Sequence, residues 1–357
     1  MKKAKIVIGL GFGDEGKGIT TDFLCTKNPE AIVVRFSGGQ QAAHTVKIGD
    51  KKHVHSSFCS GALRGLPSYF SEHCTIHPTF LHTELQELKK KKGNVTLSVH
   101  PLAKVTTPFD VWSNRKNSKN LAHGSCGKGI GATMKRNEGP YKLYAIDLVG
   151  PKSMLLEKLK SIANYYGLFD IPELSAEVAY FLDCISDLDI KIKDYSFLNT
   201  YETIIFEGSQ GVLLDMNHGT FPNVTYANTT AKNAIEICEK LNIENIETYY
   251  ITRSYATRHG NGWMLNEEEL ELVNTEEETC VYNEFQKHLR TAKLNIPLLL
   301  YAKNIDQIYN KSKRSALVMT CLDQYQPELN WELLKEHFDE FYGSYGAEST
   351  AIKKINI

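Results

Sequence analysis

Short, nearly unbroken apolar runs alternate along the chain with stretches that repeat apolar residues every third or fourth position. "AKIVIGLG" (4–11) reads as a buried strand and "EGKGITTDFLCTK" (15–27) as the helix it feeds. "AIVVRFSGG" (31–39) then reads as a second strand that ends in glycines. A β-loop-α-β opening of this kind predicts a parallel sheet with a nucleotide at its carboxyl edge. The pattern places further buried strands at "VTLSVH" (95–100), "TIIFEG" (203–208), "TYYITRS" (248–254) and "SALVMTCLD" (315–323), and helices at 79–92, 151–165, 173–186 and 229–241. The lysines of "ELKKKKGN" (87–94) suit a helix end, where cations meet the negative pole. No repeat or low-complexity linker interrupts the chain. The expectation is one domain over 1–357, α/β and doubly wound, with a mainly parallel sheet, a P-loop-like site and helical insertions.

Composition narrows the function classes. With 41 Lys plus Arg against 42 Asp plus Glu, the net charge is −1, which argues against a broad nucleic-acid or anionic-membrane surface. A local basic pocket for phosphates remains open. The 8 cysteines are scattered without a C-x-x-C pair, so neither a zinc set nor a disulfide framework is expected, and a reducing cytoplasm is the default. Met1-Lys2-Lys3 runs straight into a strand-like stretch, which does not read as a signal peptide. Apolar runs such as Ile296 to Tyr301 are far too short to span a bilayer. "HCTIH" (73–77) offers metal-ligand types, but without a second cluster it reads as structural.

The chemistry concentrates in "GLGFGDEGKGIT" (9–20). Gly11, four residues, Gly16 and Lys17 fit a phosphate loop, but Gly18 stands where a magnesium-binding hydroxyl belongs. Glycines at 9, 11, 13, 16 and 18 let backbone N–H groups converge on an anion at a helix N-terminus, and Lys17 adds charge for the terminal phosphates. Asp14 is unfavourable beside bare phosphate. It makes sense as a magnesium ligand or as an acceptor of a substrate proton, in place of the hydroxyl. On the residues alone, a carboxylate merely stabilised by the helix dipole is an equal alternative.

The loop resembles the G-D-E-G-K-G signature of the adenylosuccinate synthetase family. "RFSGGQQAAHTV" (35–46) is similar to the family's second loop, and "GSCGKGIG" (124–131) to its T-T-G-R-G-I-G segment. "FEGSQGVLLDMNHGTFPNVTYANTT" (206–230) carries the fullest match, to F-E-G-A-Q-G, G-T-Y-P and V-T-S-S-N-T-T. "SYATRHGNG" (254–262) resembles A-Y-T-T-R-V-G-x-G, "MTCLD" (319–323) resembles L-T-K-L-D, and "SYGAEST" (344–350) resembles S-T-G-P-D-R-T. These blocks follow the family's order from residue 9 to residue 350.

The resemblance implies a GTP-dependent ligase that phosphorylates the 6-oxo group of inosine monophosphate and lets aspartate displace the phosphate. Asp14 would take the purine N1 proton, His44 would donate to the oxygens on which charge builds, and Lys17 would neutralise the terminal phosphates. Magnesium would be held by Asp14 and the carbonyl of Ala43, where the family has glycine. The nucleotide would lie on Gly13, Glu15, Gly16, Gly18 and Thr45. Asp323, beside Cys321, would read guanine, because a carboxylate accepts both N1–H and the 2-amino group, with Ser344 and Gly346 closing over the base. The purine monophosphate would meet Gln41, Ser125, Cys126, Gln210 and Thr225, and the amino acid Arg290, Lys287 and His288. A cytoplasmic homodimer is implied as well.

The departures from the family pattern fall around the monophosphate and the amino acid. Gln41 replaces Asn, Cys126 replaces Thr, and Cys321 replaces Lys. The arginine that a neighbouring subunit lends falls near Pro140, with Arg136 or Lys135 as possible substitutes. The aspartate-binding loop is replaced by "NEFQKHLRTAKLN" (283–295). Two alternatives therefore stand beside the first reading. One is a paralogue acting on dGMP or another 6-oxopurine nucleotide, against which retained Asp14 speaks. The other is a nucleotide-binding regulator that has lost turnover.

Overall fold

A computed structural model describes residues 2–92, 95–116, 126–168, 171–273 and 289–357. In chain order its strands are β1 (Lys3–Gly9), β2 (Ile32–Arg35), β3 (His44–Ile48), β4 (Lys51–His55), β5 (Ser68–Phe70), β6 (Thr75–Ile76), β7 (Leu97–Val99), β8 (Lys104–Val105), β9 (Lys191–Ile192), β10 (Thr203–Glu207), β11 (Asn245–Arg253), β12 (Tyr255–Arg258), β13 (Arg290–Lys293), β14 (Arg314–Thr320), β15 (Glu340–Ser344) and β16 (Ile352–Lys354). Ten of them form one sheet in the order β16-β15-β14-β11-β1-β10-β2-β5-β7-β9. Its pairings are parallel except for β15 with β16. Central β1 sets Val7 opposite Glu207 on one side and Tyr249 on the other. The loops that leave β1, β2, β10, β11, β14 and β15 therefore open on one edge of the sheet.

The apolar runs are continuous because both faces of the sheet are covered. Ile6 and Ile8 enter one core while Val7 enters the other; Val33 and Ile205 follow Val7, and Ile32, Val34, Ile204 and Phe206 follow Ile6. Helices Lys17–Lys27, Pro78–Lys92, Lys152–Tyr166 and Pro172–Asp187 contribute to the Val7 core. Helices Lys232–Lys240 and Ile296–Gln307 contribute to the Ile6 core. Each fully buried Leu, Ile or Val adds roughly 1.5–3 kcal/mol. This is the expected doubly wound α/β arrangement.

The expected elements are present, with ends trimmed where the backbone turns. The strand expected over 315–323 stops at Thr320, because Cys321 takes a left-handed φ of 62° that ends the ladder. The apolar run at 296–301 starts a helix, Ile296–Gln307, which Asn295 caps by accepting from Leu298 N at 2.9 Å. The hairpin β3–β4 and strand β15 (HTVKI, KKHVH and EFYGS) lack the continuous apolar run that marks the other strands, so periodicity does not pick them out. Among the described residues no helix is long and apolar enough to cross a membrane.

Arg136 is fully buried and committed within the fold. It donates to Asp110 through Nε (2.8 Å) and Nη2 (3.0 Å), to Tyr141 O (2.6 Å) and to Val105 O (2.8 Å). It is therefore not available to a neighbouring subunit, whereas Lys135 is exposed. Removing one member of such a pair leaves the other charge buried and alone. We expect Arg136→Met to lower the unfolding free energy in urea by about 3–5 kcal/mol; a loss below about 1 kcal/mol would show that Asp110 is not held as described.

Candidate active site

The site is built around Glu207, the last residue of β10, whose side chain is completely buried. Arg35, at the end of neighbouring β2, donates from Nε to Glu207 Oε2 at 3.0 Å. Ser60 donates its backbone N–H to Oε2 at 3.1 Å and its hydroxyl to Oε1. His44 Nδ1 lies 2.8 Å from Oε1. Burial alone would raise this carboxyl, but Arg35 and then His44 hold it far below the usual carboxylate range. An ionised carboxylate only accepts, so His44 carries its proton on Nδ1 and turns Nε2 away from Glu207. Burial, and then Arg35, push His44 down to about 4 against the pull of Glu207, so its imidazole is neutral near neutral pH. Arg35 also reaches Ala42 O (3.2 Å) and His55 O (3.3 Å), fixing the second loop and the β3–β4 hairpin to the sheet edge.

The first loop carries an anion of its own. The buried carboxylate of Glu15 accepts from Gly11 N (2.8 Å), Gly13 N (3.0 Å) and Lys17 Nζ (2.6 Å). Two of the loop donors, and the lysine expected for the terminal phosphates, thus serve an anion supplied by the chain itself. The N-terminus of helix Lys17–Lys27 has no side-chain cap and begins at left-handed Gly16. Such an end suits a phosphate. Thr320 Oγ1 holds the loop from β14 by donating to Glu15 O at 2.8 Å.

Asp14 adopts a left-handed φ of 57°, unusual for a non-glycine residue and typical of strained functional positions. Its Oδ2 lies 2.8 Å from His259 Nε2, and its carbonyl accepts from Arg253 Nε. Its surroundings alone would raise the carboxyl, but His259, then Arg253 and Lys17, lower it to about 2. It is an ionised, partly open oxygen donor of the hard type that magnesium takes. Ala43 is exposed at the foot of the same hairpin as His44.

The loops meet closely. A Cβ on Gly18 would lie 2.9 Å from both His44 Cβ and Thr45 O, so the helix start and the His44 hairpin approach as only glycine permits. A Cβ on Gly13 would lie 3.6 Å from Gln210 Cα, which brings the β10 loop alongside. Gln40 Nε2 donates to Lys128 O at 3.1 Å, joining the second loop to the turn that holds Cys126. Thr225 follows from that side, since Gly131 abuts the ring of Tyr226. Gln41 Oε1 and Nε2, and Gln210 Oε1, are buried without protein partners, as expected of amides that await a ligand.

At the other end, Leu322 N bonds Ser344 O at 3.0 Å, and Ser344 Oγ bonds Gly346 O at 3.0 Å. Exposed Asp323 therefore shares one corner with Ser344 and Gly346, next to Cys321. Ser125, Lys287 and His288 lie outside the described residues. Arg290 does have a companion: Arg258, directly opposite it in the β12–β13 register. Burial and then Arg290 push Arg258 down to about 10, and the Nε atoms of both arginines lack protein partners. Glu207, Arg258 and His259 sit inside the quoted sequence blocks and Arg253 in the strand read over 248–254, yet only coordinates give them partners.

The sequence profile of the family described as adenylosuccinate synthetase matches residues 6–327. The chain belongs to the adenylosuccinate synthetase family. Members of this family are GTP-dependent C–N ligases of purine biosynthesis. The adenylosuccinate synthetase of Picrophilus torridus is 28% identical over 359 residues, covering 96% of this chain and 84% of its own. That of Clostridium botulinum (strain Eklund 17B / Type B) is 32% identical over 282 residues, 72% of this chain and 64% of the relative. Among solved structures, a fully ligated adenylosuccinate synthetase from Plasmodium falciparum shares the fold with a TM-score of 0.78, 20% identity and 99% coverage of both chains. The cyanophage S-2L succinoaminodeoxyadenylate synthetase, bound to dGMP and to dATP as an energy donor, shares it with a TM-score of 0.71, 18% identity and coverage of 100% of this chain and 96% of that one.

The buried imidazoles of this family member carry a pH signature. Burial leads the lowering of His44 and His73 to about 4 and of His77 to about 3, from 6.5. Below pH 6.5 the unfolded chain binds these protons first, so stability present above that pH is lost as pH falls toward about 4. Urea unfolding across this range should show a falling midpoint well before the carboxylates titrate; a midpoint constant down to about pH 5 would contradict the buried neutral histidines.

Proposed function

We propose that the chain joins L-aspartate to C6 of inosine monophosphate, with GTP phosphorylating the 6-oxo group first. The observations that support this reading are the close approach of the first loop to His44 at Gly18 and to Gln210 at Gly13, and the charge of Lys17, which acts on both Asp14 and His44. An amide-like oxygen is a poor leaving group. Asp14, ionised, is suited to accept the purine N1 proton and so make O6 the nucleophile. His44 presents Nε2 to the transferred group; the charge of an arriving phosphate would favour its protonated, donating form, with Glu207 stabilising the imidazolium. Magnesium fits Asp14 and the Ala43 carbonyl, and when bound it would neutralise charge on the phosphates. Gln41 and Gln210, whose buried amide atoms lack protein partners, together with Cys126 and Thr225, suit the monophosphate, and Asp323 with Ser344 and Gly346 suits guanine. The Nη atoms of Arg258 and Arg290 are engaged by Thr220, Trp263, Asn223, Glu267 and Gly262, so the two Nε donors and the two positive charges are what the pair offers a dicarboxylic amino acid.

One observation favours a second reading, a different 6-oxopurine such as that of dGMP. His259 stands where the family motif carries Val, and it engages the Asp14 carboxylate that would meet the purine. Phosphate release and product absorbance with GTP, aspartate and either IMP or dGMP decide between them. We expect turnover with IMP. Turnover confined to dGMP would transfer the assignment, and tight GTP binding without turnover on either would mark a regulator. Asp14→Asn should cut turnover by about 10²–10⁴-fold while GTP binding persists; full activity in that variant would remove the base assignment.

A further inference from the structure

Strand β4 is amphipathic in the wrong sense. Its burial alternates so that His53 and His55 point inward while Val54 is exposed. Period-two geometry puts both imidazoles on one face, toward helix Pro78–Lys92, from which Glu84 meets them. Three buried potential ligand atoms, one from each of His53, His55 and Glu84, lie within 4.8 Å of one another. His53 Nε2 is 3.3 Å and His55 Nδ1 3.8 Å from Glu84 Oε1. Two ligands at zinc distances on a tetrahedron are separated by about 3.3 Å, so one edge is already at that spacing and the other nearly so.

Neither ring nitrogen of fully buried His55 has a protein partner. A buried imidazole with both nitrogens idle is costly unless something else uses it. Glu84 is held for the purpose at its other oxygen: Oε2 accepts from Ser56 N (3.0 Å), Ser56 Oγ (3.0 Å) and Ser57 N (2.6 Å), leaving Oε1 directed at the histidines.

We propose that His53, His55 and Glu84 form a site for a zinc-class divalent cation, with water completing the shell. Two imidazoles and one carboxylate suit zinc and its first-row neighbours, whereas magnesium prefers an all-oxygen shell. Lys91 is the group that must yield. Its ammonium lies 3.2 Å from His53 Nδ1 and 2.6 Å from Lys52 O. Donation to Nδ1 keeps the His53 proton on Nε2, facing Glu84; loading moves that proton to Nδ1 and turns Lys91 to the Lys52 carbonyl alone. The site lies behind the catalytic hairpin. His55 is the cross-strand partner of His44, and its carbonyl accepts from Arg35. A bound ion would therefore tie the strand behind His44 to helix Pro78–Lys92 and brace the imidazole that faces substrate.

Metal-free full-length protein titrated with Co²⁺ as a spectroscopic probe, and with Zn²⁺ followed by elemental analysis after desalting, tests this. We expect one equivalent bound per chain, visible d–d absorption from Co²⁺, and a Zn²⁺-dependent rise in melting temperature. His53→Gln should weaken binding at least about tenfold. Asp14→Asn should bind as the parent does, which separates this site from a magnesium site at the first loop. Wild-type protein that retains no zinc and gives no d–d bands overturns the proposal, whatever the variants do. Loss of the Co²⁺ spectrum in Asp14→Asn, or its persistence in a folded His53→Gln, overturns it equally.

Discussion

One carboxylate at the end of one strand holds the catalytic edge together. Glu207 receives Arg35 from the next strand, the imidazole of His44 from the hairpin, and both donors of Ser60 from the segment beyond it. Each of the three lies 147 to 172 positions from Glu207, and each could otherwise settle separately. A buried charge is tolerable only while its partners stay in place, so displacing any one of them would strand the others. The pair adds little net stability over an apolar substitute, but it specifies one arrangement, the one in which His44 bonds Glu207 through Nδ1 and lies against Gly18 of the first loop. Positioning of the imidazole is thus a consequence of electrostatics beneath the site.

The same economy shapes the first loop. In an anion-binding turn without its ligand, N–H groups converge with nothing to receive them, and Glu15 resolves that by accepting from Gly11, Gly13 and Lys17. The loop is thereby set before any nucleotide arrives, and the uncapped helix start remains for phosphate. Strain accumulates around it. Asp14, Gln210 and Cys321 all adopt left-handed backbone, each at the exit of a parallel strand where the chain must turn sharply to bring a side chain or carbonyl to the cavity. Such conformations persist because the sheet beneath them over-determines where the loops begin.

How much of this was legible in the sequence follows from the range of each interaction. Buried parallel strands announce themselves as local apolar runs, so β1, β2, β10, β11 and β14 could be read, and the glycines with Asp14 marked the first loop. The partnership of Glu207 with His44 joins residues 163 positions apart, and no local pattern encodes it. Arg258 looked like one more residue of a motif until strand pairing set it against Arg290. The bonds of Glu15 were out of reach for a subtler reason: nothing in the composition of the loop says that an acidic side chain folds back onto Gly11 and Gly13. Asp323 was placed on a strand that ends earlier, since a single left-handed residue after Thr320 carries no compositional signal when it is Cys321.

The central claim is that Glu207 holds His44 as a neutral imidazole with its proton on Nδ1, leaving Nε2 unengaged by Glu207. Nitrogen NMR of isotopically labelled histidine, with His44 assigned by difference against a His44→Gln variant, reads protonation and tautomer directly. From about pH 5 to about pH 8 the signal should be that of the neutral Nδ1–H form. An imidazolium throughout that range, or a proton on Nε2, would contradict the account.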